Sequence, residues 1–264
     1  MIKIVVAGAR GKMGSEAVQM VLNEPGFDLV GAVDLHDNHK MMTEIDGMPD
    51  VNVRLFEDMS ECLQETKPDV LVDLTAPEVG KRHMKIALEH GVRPVVGTTG
   101  FTEEDVVQLT ELAEREKTGA IIAPNFAIGA VLLMKFSQMA AKYLADVEII
   151  EQHHDRKLDA PSGTAVKTAQ MISEVRDSRK QGHPDEKETI SGARGAEIDG
   201  MHIHSVRLPG LIAHQEVIFG GEGQSLTMRH DSYHRSSFMP GIKLAVNHVI
   251  GISTLIYGLD QIIQ

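Results

Sequence analysis

The sequence has little of several features on which whole classes of protein depend. Cys62 is its only cysteine, so neither an intrachain disulfide nor a cysteine-based metal cluster can form. The apolar run Ile2–Ala7 is short and no basic segment precedes it, so we expect no signal peptide. No apolar window approaches the length of a membrane span. These absences predict a soluble protein of the cytoplasm.

Positive charge is also in short supply. The 264 residues include 26 Lys and Arg against 38 Asp and Glu, a net charge of -12. Nucleic acids and anionic membranes select basic surfaces, so we expect neither as a partner. A nucleotide cofactor is still possible, because backbone N–H groups can bind phosphate locally. The length allows one large domain or two modest ones, and the 42% hydrophobic content is ordinary for a globular protein.

The first half of the chain alternates short β-branched runs with amphipathic stretches. The predicted strands are 2–7, 29–33, 70–74, 94–97 and 120–123, and the predicted helices are 13–23, 80–89 and 103–116. Repeated strand–helix alternation is typical of a parallel sheet with crossover helices. We therefore predict an α/β dinucleotide-binding domain over residues 1–126.

The pattern changes after Asn125. A helix over 128–142 leads into a strand over 147–150, and later strands are predicted over 203–208, 212–219 and 225–230. Glycine-containing turns between them are typical of antiparallel strands. We expect the polar segment 177–187 to be a mobile loop. The second domain is predicted over 127–235, and the helical pattern of 236–264 is predicted to complete the first.

A glycine-rich loop follows the first predicted strand directly and precedes a helix. Its sequence is Gly8-Ala9-Arg10-Gly11-Lys12-Met13-Gly14. Glycine permits a tight turn and lets the backbone approach a pyrophosphate held at the helix start. Asp34 ends the second strand, where an acid would bind the ribose hydroxyls. The glycine spacing is not the commoner Gly-x-Gly-x-x-Gly, so this context is what favours a dinucleotide site over a structural turn.

Two later loops also follow predicted strands. They are Gly97-Thr98-Thr99-Gly100 and Ala123-Pro124-Asn125-Phe126. Open α/β sheets bind ligands at the carboxyl ends of their strands. Each loop alone is explained as well by a simple turn. Together with the glycine loop they would line one crevice, which favours contact with a nicotinamide ring.

The segment Glu151–Ala165, EQHHDRKLDAPSGTA, concentrates ionisable groups directly before a predicted helix start. Buried unpaired charges are costly, so we expect a loop outside the core after a strand that ends at Ile150. Pro161 fits a first helical turn, and Ser or Thr can cap it. The N–H groups of such a turn bind anions. Proton donors facing an anion site indicate a small acidic substrate; a solvated loop is the alternative.

At these motifs the sequence resembles the 4-hydroxy-tetrahydrodipicolinate reductase (dihydrodipicolinate reductase) family of lysine biosynthesis. The matching stretches span essentially the whole chain and are 6–14, 97–100, 125–126, 151–165, 191–195, 204–210 and 230–232. The resemblance implies a Rossmann-like dinucleotide-binding domain with NADH or NADPH as cofactor. It also implies an α+β substrate domain whose open mixed sheet builds a homotetramer, and a cytoplasmic role in diaminopimelate synthesis.

The resemblance also assigns roles to residues. His153 would donate the proton in the reduction of 4-hydroxy-tetrahydrodipicolinate, a small dicarboxylate, and Lys157 would be its catalytic partner. His154, Gly163 and Thr164 would bind this substrate. The cofactor residues would be Gly8, Ala9, Arg10, Gly11, Lys12, Met13, Asp34, Gly97, Thr98, Thr99, Ala123, Pro124, Asn125 and Phe126. Leu35 follows Asp34 where some members have arginine, so we expect NADH to serve at least as well as NADPH.

Two other functions remain open at the level of sequence. One is a different two-domain Rossmann reductase, although Cys62 lies far from the predicted crevice and could not serve as the nucleophile of a semialdehyde reductase. The other is a nucleotide sensor without catalysis, which would have no use for His153 and Lys157. His202 and His204 alternate on one strand, but the ligand spacing of a zinc site is missing, so no metal is predicted. Arg235 touches substrate or ties the hinge between domains.

Overall fold

The computed structural model describes residues 1–263. The chain divides into two compact units, Met1–Phe126 with Phe238–Gln264, and Ala127–Ser237. The C-terminal segment thus joins the first unit at Phe238, close to the predicted return at Ser236. Within the described residues, no helix has the length and apolar character that a membrane crossing requires.

Twelve strands and seven α-helices follow one another along residues 1–263. The strands are β1 (Ile2–Ala7), β2 (Phe27–Val33), β3 (Leu55–Phe56), β4 (Val70–Asp73), β5 (Arg93–Val96), β6 (Ala120–Ile122), β7 (Asp146–His153), β8 (Ala196–Ile198), β9 (Met201–Arg207), β10 (Ala213–Gly221), β11 (Gln224–Ser232) and β12 (Leu255–Tyr257). The helices are α1 (Lys12–Asn23), α2 (Met59–Thr66), α3 (Pro77–Glu89), α4 (Glu103–Glu116), α5 (Ile128–Ala141), α6 (Gly163–Ser173) and α7 (Met239–Val249).

The first unit is built on a parallel sheet in the order β12-β6-β5-β4-β1-β2-β3. Most residues of its central strands β1 and β4 are apolar and fully buried, because helices cover both faces of such a sheet. The predicted Rossmann-like fold is confirmed. β3 and β12 were not predicted, since strands of two and three residues are too short to show a pattern.

The second unit is built on a five-stranded sheet in the order β11-β10-β7-β9-β8. β7 pairs in parallel with β9, and the other pairings are antiparallel, so the sheet is mixed as predicted. Its inward residues, such as Val147, Ile149 and Phe219, pack on Ala169 and Ile172 of α6. Alternate residues of the same strands point to the opposite face.

β7 extends beyond its predicted end at Ile150, and this corrects the expected loop. Glu151 and His153 are strand residues that pair with Gln215 and Ala213 of β10. Glu151 is completely buried, yet it is hydrogen bonded to His153 and Arg207. The prediction assumed that the charges of this segment would lack partners, and the partner Arg207 lies on a strand that is distant in sequence.

The segment 177–187 contains neither helix nor strand, as predicted, but it is tied to the sheet. Gln181 is buried, and its side-chain amide bonds the backbone of Val147 in both directions, at 2.9 and 2.8 Å. Arg176, just before the segment, donates to the carbonyl oxygens of Asp199 and Arg179. A freely mobile loop would not bury these groups, so this part of the prediction was wrong around Gln181.

Candidate active site

The glycine loop joins β1 to α1 through backbone contacts that other residues would not permit. Gly8 has a φ of +76°, a left-handed conformation that favours glycine, and its N–H bonds Val33 O at 2.8 Å. Gly11 is the N-cap of α1 and offers no side-chain cap to the first turn. An anionic group could take the place of that cap, because the first-turn N–H groups have no intrahelical acceptor.

Asp34 lies immediately after β2 and is held against this loop. One oxygen accepts from the N–H of Arg10 at 2.9 Å and the other accepts from the N–H of Leu35 at 2.8 Å. The carboxylate is therefore fixed beside the glycine loop, in the position where the sequence predicted ribose recognition. Each oxygen retains a second lone pair that can accept from a hydroxyl group.

The structure brings the three predicted cofactor loops together around Leu74, which follows β4. A Cβ atom on Gly97 would lie 2.6 Å from the Leu74 side chain and 3.0 Å from the Phe126 ring. A Cβ atom on Gly8 would lie 3.2 Å from the Leu74 carbonyl oxygen. The side chain of Thr98 is buried against Gly80, so a residue larger than glycine would not fit at position 80. Cofactor binding by these loops remains a prediction.

A buried pair beneath these loops was missed in the sequence. Asp73, the last residue of β4, is fully buried and bonds His83 Nδ1 at 2.7 Å. Its other oxygen accepts from the N–H and the hydroxyl of Thr75, at 3.0 and 2.6 Å. The pair anchors the turn that carries Leu74. An aspartate at the end of an apolar strand, ten residues before a histidine on α3, was the available signal.

His153 ends β7 with its ring fixed by a carboxylate. Its Nδ1 lies 2.5 Å from Oε2 of Glu151, and 16% of the His153 side chain is exposed. Arg207 on β9 donates to both oxygens of the same carboxylate, at 2.8 and 2.7 Å. The imidazole is thus partly accessible to ligands, whereas the carboxylate of Glu151 is completely buried.

The charge of Glu151 determines which ring nitrogen of His153 carries a hydrogen. Burial raises the pKa of the Glu151 carboxyl, but hydrogen bonds from His153 and Arg207 outweigh burial and lower the pKa to about 2. The group is therefore an anion at neutral pH and can only accept hydrogen bonds. It follows that Nδ1 of His153 carries the hydrogen in this contact and that Nε2 is the ring nitrogen left for chemistry.

Lys157 and His154 lie on the turn after β7, where the N–H of Lys157 bonds the carbonyl oxygen of His154 at 3.2 Å. The Lys157 ammonium donates to both carboxylate oxygens of Asp159, at 2.7 and 2.9 Å. This contact, foremost through its hydrogen bond, holds the pKa of Asp159 below its usual range. Nδ1 of His154 is buried and has no hydrogen-bond partner among the described residues. A bound ligand could supply one.

α6 begins at Gly163. Pro161 therefore precedes the helix, and the prediction that it lies in the first turn was wrong. Ser162 is the N-cap, and its hydroxyl accepts from the N–H of Ala165 at 3.3 Å. The N–H of Ser162 donates to Glu151 at 3.2 Å, which joins the helix start to the His153 cluster. A Cβ atom on Gly163 would meet nothing within 4 Å, so the first turn has open space beside it.

Two residues that the sequence set aside, His204 and Cys62, have structural explanations. His204 and Arg194 both bond Glu148, at 2.8 and 2.6 Å, which explains one of the strand histidines by an ion pair. Cys62 is buried on α2, and burial raises the pKa of its thiol to about 12. A thiol in that state is a poor nucleophile. Arg235 lies in a short 3-10 helix, Arg235–Phe238.

Comparison with known proteins covers both units. The family model described as dihydrodipicolinate reductase, N-terminus, matches residues 2–126, and the one described as dihydrodipicolinate reductase, C-terminus, matches residues 129–263. The 4-hydroxy-tetrahydrodipicolinate reductase of Geobacillus kaustophilus is 63% identical over 100% of this chain and 99% of its own length. The enzyme of that name from Bacillus subtilis is 63% identical over 100% of this chain and 98% of its own.

A solved structure agrees with these matches. It is the dipicolinate-bound dihydrodipicolinate reductase of Paenisporosarcina sp. TG-14, with a TM-score of 0.90 and 56% identity over 100% of both chains. The resemblance found in the sequence is confirmed, and a nucleotide sensor or an unrelated Rossmann reductase is set aside. The chain belongs to the dihydrodipicolinate reductase family, whose members are Rossmann-fold oxidoreductases that use a nicotinamide dinucleotide.

Proposed function

We propose that this protein reduces 4-hydroxy-tetrahydrodipicolinate to tetrahydrodipicolinate, with loss of water, in the diaminopimelate route to lysine. The observation that carries the proposal is the partly exposed His153 imidazole, fixed by a buried carboxylate that also accepts a hydrogen bond from the start of α6, with Lys157 four residues further along the chain. A fixed proton donor, a cation and an anion-binding helix start suit a cyclic substrate with carboxylates. The dipicolinate-bound relative is similar along its whole length.

His153 has the role of proton donor in this proposal. Water leaves the hydroxyl-bearing carbon of the substrate, and hydride addition to the conjugated ring then builds negative charge. Protonation relieves that charge, and a histidine suits the task because its ordinary pKa lies near neutral pH. Nε2 is the atom that gives the proton, since Nδ1 is engaged by Glu151. Such a donor contributes roughly a hundred- to ten-thousand-fold to the rate.

Lys157 supplies positive charge next to the reacting ring. Its ammonium has three hydrogens, and Asp159 takes two hydrogen bonds from it. The third hydrogen can reach a substrate carboxylate or the developing charge. Asp159 is more than half exposed, so it can move aside when a ligand binds. His154 would bind the substrate through its buried and otherwise unmatched Nδ1.

The start of α6 would hold a substrate carboxylate. Gly163 and Thr164 occupy the first two positions of the helix, where N–H groups and the helix dipole favour an anion. Ser162 already serves the third position through its side chain. The open space beside Gly163 gives a ligand access to the backbone, and any side chain there would narrow that access.

The first unit would hold the cofactor, whose reduced nicotinamide supplies the hydride. The loop 8–13 fits a pyrophosphate, because Gly11 leaves the first turn of α1 without a side-chain cap. Asp34 would bind the adenosine ribose. Residues 97–99 and 123–126 would contact the nicotinamide half, in agreement with their convergence on Leu74.

NADH is proposed to serve at least as well as NADPH. Leu35 offers no charge to a 2′-phosphate, and the nearby cations Arg10 and Lys40 both bond the carboxylate of Asp37 at 2.6 Å. Hydrogen bonding to Lys40, with a further contribution from Arg10, holds the pKa of Asp37 below its usual range. A phosphate would have to compete with this carboxylate for both cations, which disfavours NADPH.

The homotetramer and the cytoplasmic location are proposed on family membership. One face of the five-stranded sheet is covered by α5 and α6, which pack on the core that contains Ile149 and Phe219. The other face is left for contact between subunits, which supports a role in assembly. The opposite face carries Ile150 and Ile218, which are only partly buried. Light scattering should give a mass near four times 28.9 kDa if the tetramer forms.

Nicotinamide oxidation tests the proposed function directly. The substrate is unstable, so the preceding synthase generates it in the cuvette, and the decrease in reduced cofactor absorbance is followed for NADH and NADPH in turn. The proposal expects turnover that depends on the synthase product. Turnover that is absent with both cofactors, in a protein that binds NADH, would refute it.

A further inference from the structure

A single carboxylate at the centre of the second unit receives hydrogen bonds from several directions. Glu151 is completely buried on β7. It accepts from Nδ1 of His153 at 2.5 Å, from Nη1 and Nη2 of Arg207 at 2.8 and 2.7 Å, and from the N–H of Ser162 at 3.2 Å. A carboxylate held at both oxygens cannot rotate, so the direction of its bond to His153 is set by the fold.

Arg207 is itself anchored to the backbone. Its guanidinium donates to the carbonyl oxygen of Val206 at 2.8 Å and to that of Asp159 at 2.7 Å, in addition to Glu151. A planar guanidinium that donates to several fixed acceptors is held in one orientation. The contact with Asp159 also links Arg207 to the turn that carries Lys157.

We propose that Glu151 and Arg207 are positioning residues of the reaction, with Glu151 selecting the tautomer and orientation of His153 and Arg207 fixing Glu151. The inference rests on the proposed role of His153 as proton donor. A buried carboxylate is costly to desolvate, and a neutral acceptor would hold a ring in place at lower cost. The negative charge has a use that a neutral group lacks, because it stabilises the protonated imidazole from which the proton is donated.

The same strand offers a matched control. Glu148 bonds one histidine, His204, at 2.8 Å and one arginine, Arg194, at 2.6 Å. It lies three residues before Glu151 and therefore on the other face of the sheet. Its side chain is 31% exposed, whereas that of Glu151 is fully buried. Glu148→Gln removes an equivalent carboxylate–histidine contact without touching His153.

The test combines kinetics with the imidazole nitrogen resonances of His153, assigned by their loss in His153→Gln. In the wild-type enzyme the neutral ring is expected to carry its hydrogen on Nδ1. Glu151→Gln should lower kcat at least about tenfold, toward the roughly ten-thousand-fold loss seen when a histidine loses its orienting carboxylate. The KM for NADH should stay within about twofold, since the cofactor is bound elsewhere. The hydrogen should shift toward Nε2, because a glutamine amide can donate as well as accept.

Each outcome decides the inference. A wild-type ring with its hydrogen on Nε2 would overturn it without any variant, so the test survives even if Glu151→Gln fails to fold. Unchanged kcat and unchanged tautomer in Glu151→Gln would also overturn it, as would an equal loss of kcat in a Glu148→Gln protein whose mass in solution equals that of the wild type. If the wild-type enzyme shows no reductase turnover while its tautomer and the Glu151→Gln shift are as expected, the proposed function fails and the orienting role of Glu151 stands.

Discussion

The glycine loop yields a prediction that separates cofactor binding from packing. A Cβ atom on Gly14 would lie 1.9 Å from the carbonyl oxygen of Gly8, whereas one on Gly11 would lie 3.1 Å from the same oxygen. Normal contacts exceed 3.0 Å, so Gly14→Ala forces α1 and the loop apart by at least about 1 Å. Gly11 has a φ of -69°, which any residue adopts, and its 3.1 Å contact is tight but requires Gly8 to yield by only a few tenths of an ångström, so Gly11→Val strains the backbone far less than Gly14→Ala.

The two substitutions are expected to change the free energy of unfolding by different amounts. Overpacking against rigid backbone costs about 3 kcal/mol, and the better helix propensity of alanine returns about 1 kcal/mol. A net loss of about 2 kcal/mol lowers the Tm of a protein of this size by roughly 4–8 °C. Gly11→Val should keep its Tm within about 2 °C, but the valine side chain at the N-cap should raise the Kd of NADH at least tenfold, or about 1.4 kcal/mol.

Calorimetry and fluorescence titration with NADH measure the two effects on the same samples. Gly26→Ala is the control, because a Cβ atom there would meet nothing within 4 Å and the residue is outside the loop. It should change neither Tm nor Kd. Wild-type affinity for NADH in Gly11→Val would refute the loop as the pyrophosphate site. A Gly14→Ala protein as stable as the control would refute the packing argument.

Three further predictions concern the catalytic residues, the cofactor and acid stability. His153→Ala and Lys157→Ala should lower kcat far more than they raise KM, because both act in the transition state, and near-normal turnover in either would contradict the assignment. Leu35→Arg and Asp37→Asn should each raise the ratio of kcat/KM for NADPH to that for NADH, and a wild-type preference for NADPH above about tenfold would contradict the proposal. The pKa of Glu151 is lowered to about 2 from its ordinary 4.5, so its ionised form stabilises the fold above about pH 4.5 and this stabilisation, roughly 3 kcal/mol, is lost as the pH falls toward 2. Denaturant unfolding across that range should show a shallower pH dependence for Glu151→Gln than for the wild type, and parallel curves would contradict the pKa.

Much of the first unit could be predicted because its strands and helices are indicated by patterns within short stretches of the sequence. Strands that are buried on both faces appear as runs such as Ile2–Ala7, and β1 has those bounds in the structure. The helix Glu103–Glu116 was also predicted with its observed limits, and its start is capped by Thr102. β12 was missed because a strand of three residues shows no pattern of its own within a segment whose pattern is otherwise helical.

The family, the type of fold and most of the candidate residues could be identified from the sequence, since motifs such as Glu151–Ala165 are contiguous. Which of those groups contact one another depends on the folded chain. Arg207 lies 56 residues from Glu151 and reaches it only because β9 pairs with β7. Arg207, together with His153 and the N–H of Ser162, gives the buried carboxylate its hydrogen-bond partners, and the sequence showed the charge of Glu151 without the arginine that pairs with it. Pairing between distant strands depends on the folded topology, so the orientation of His153 could not be predicted from the order of the residues.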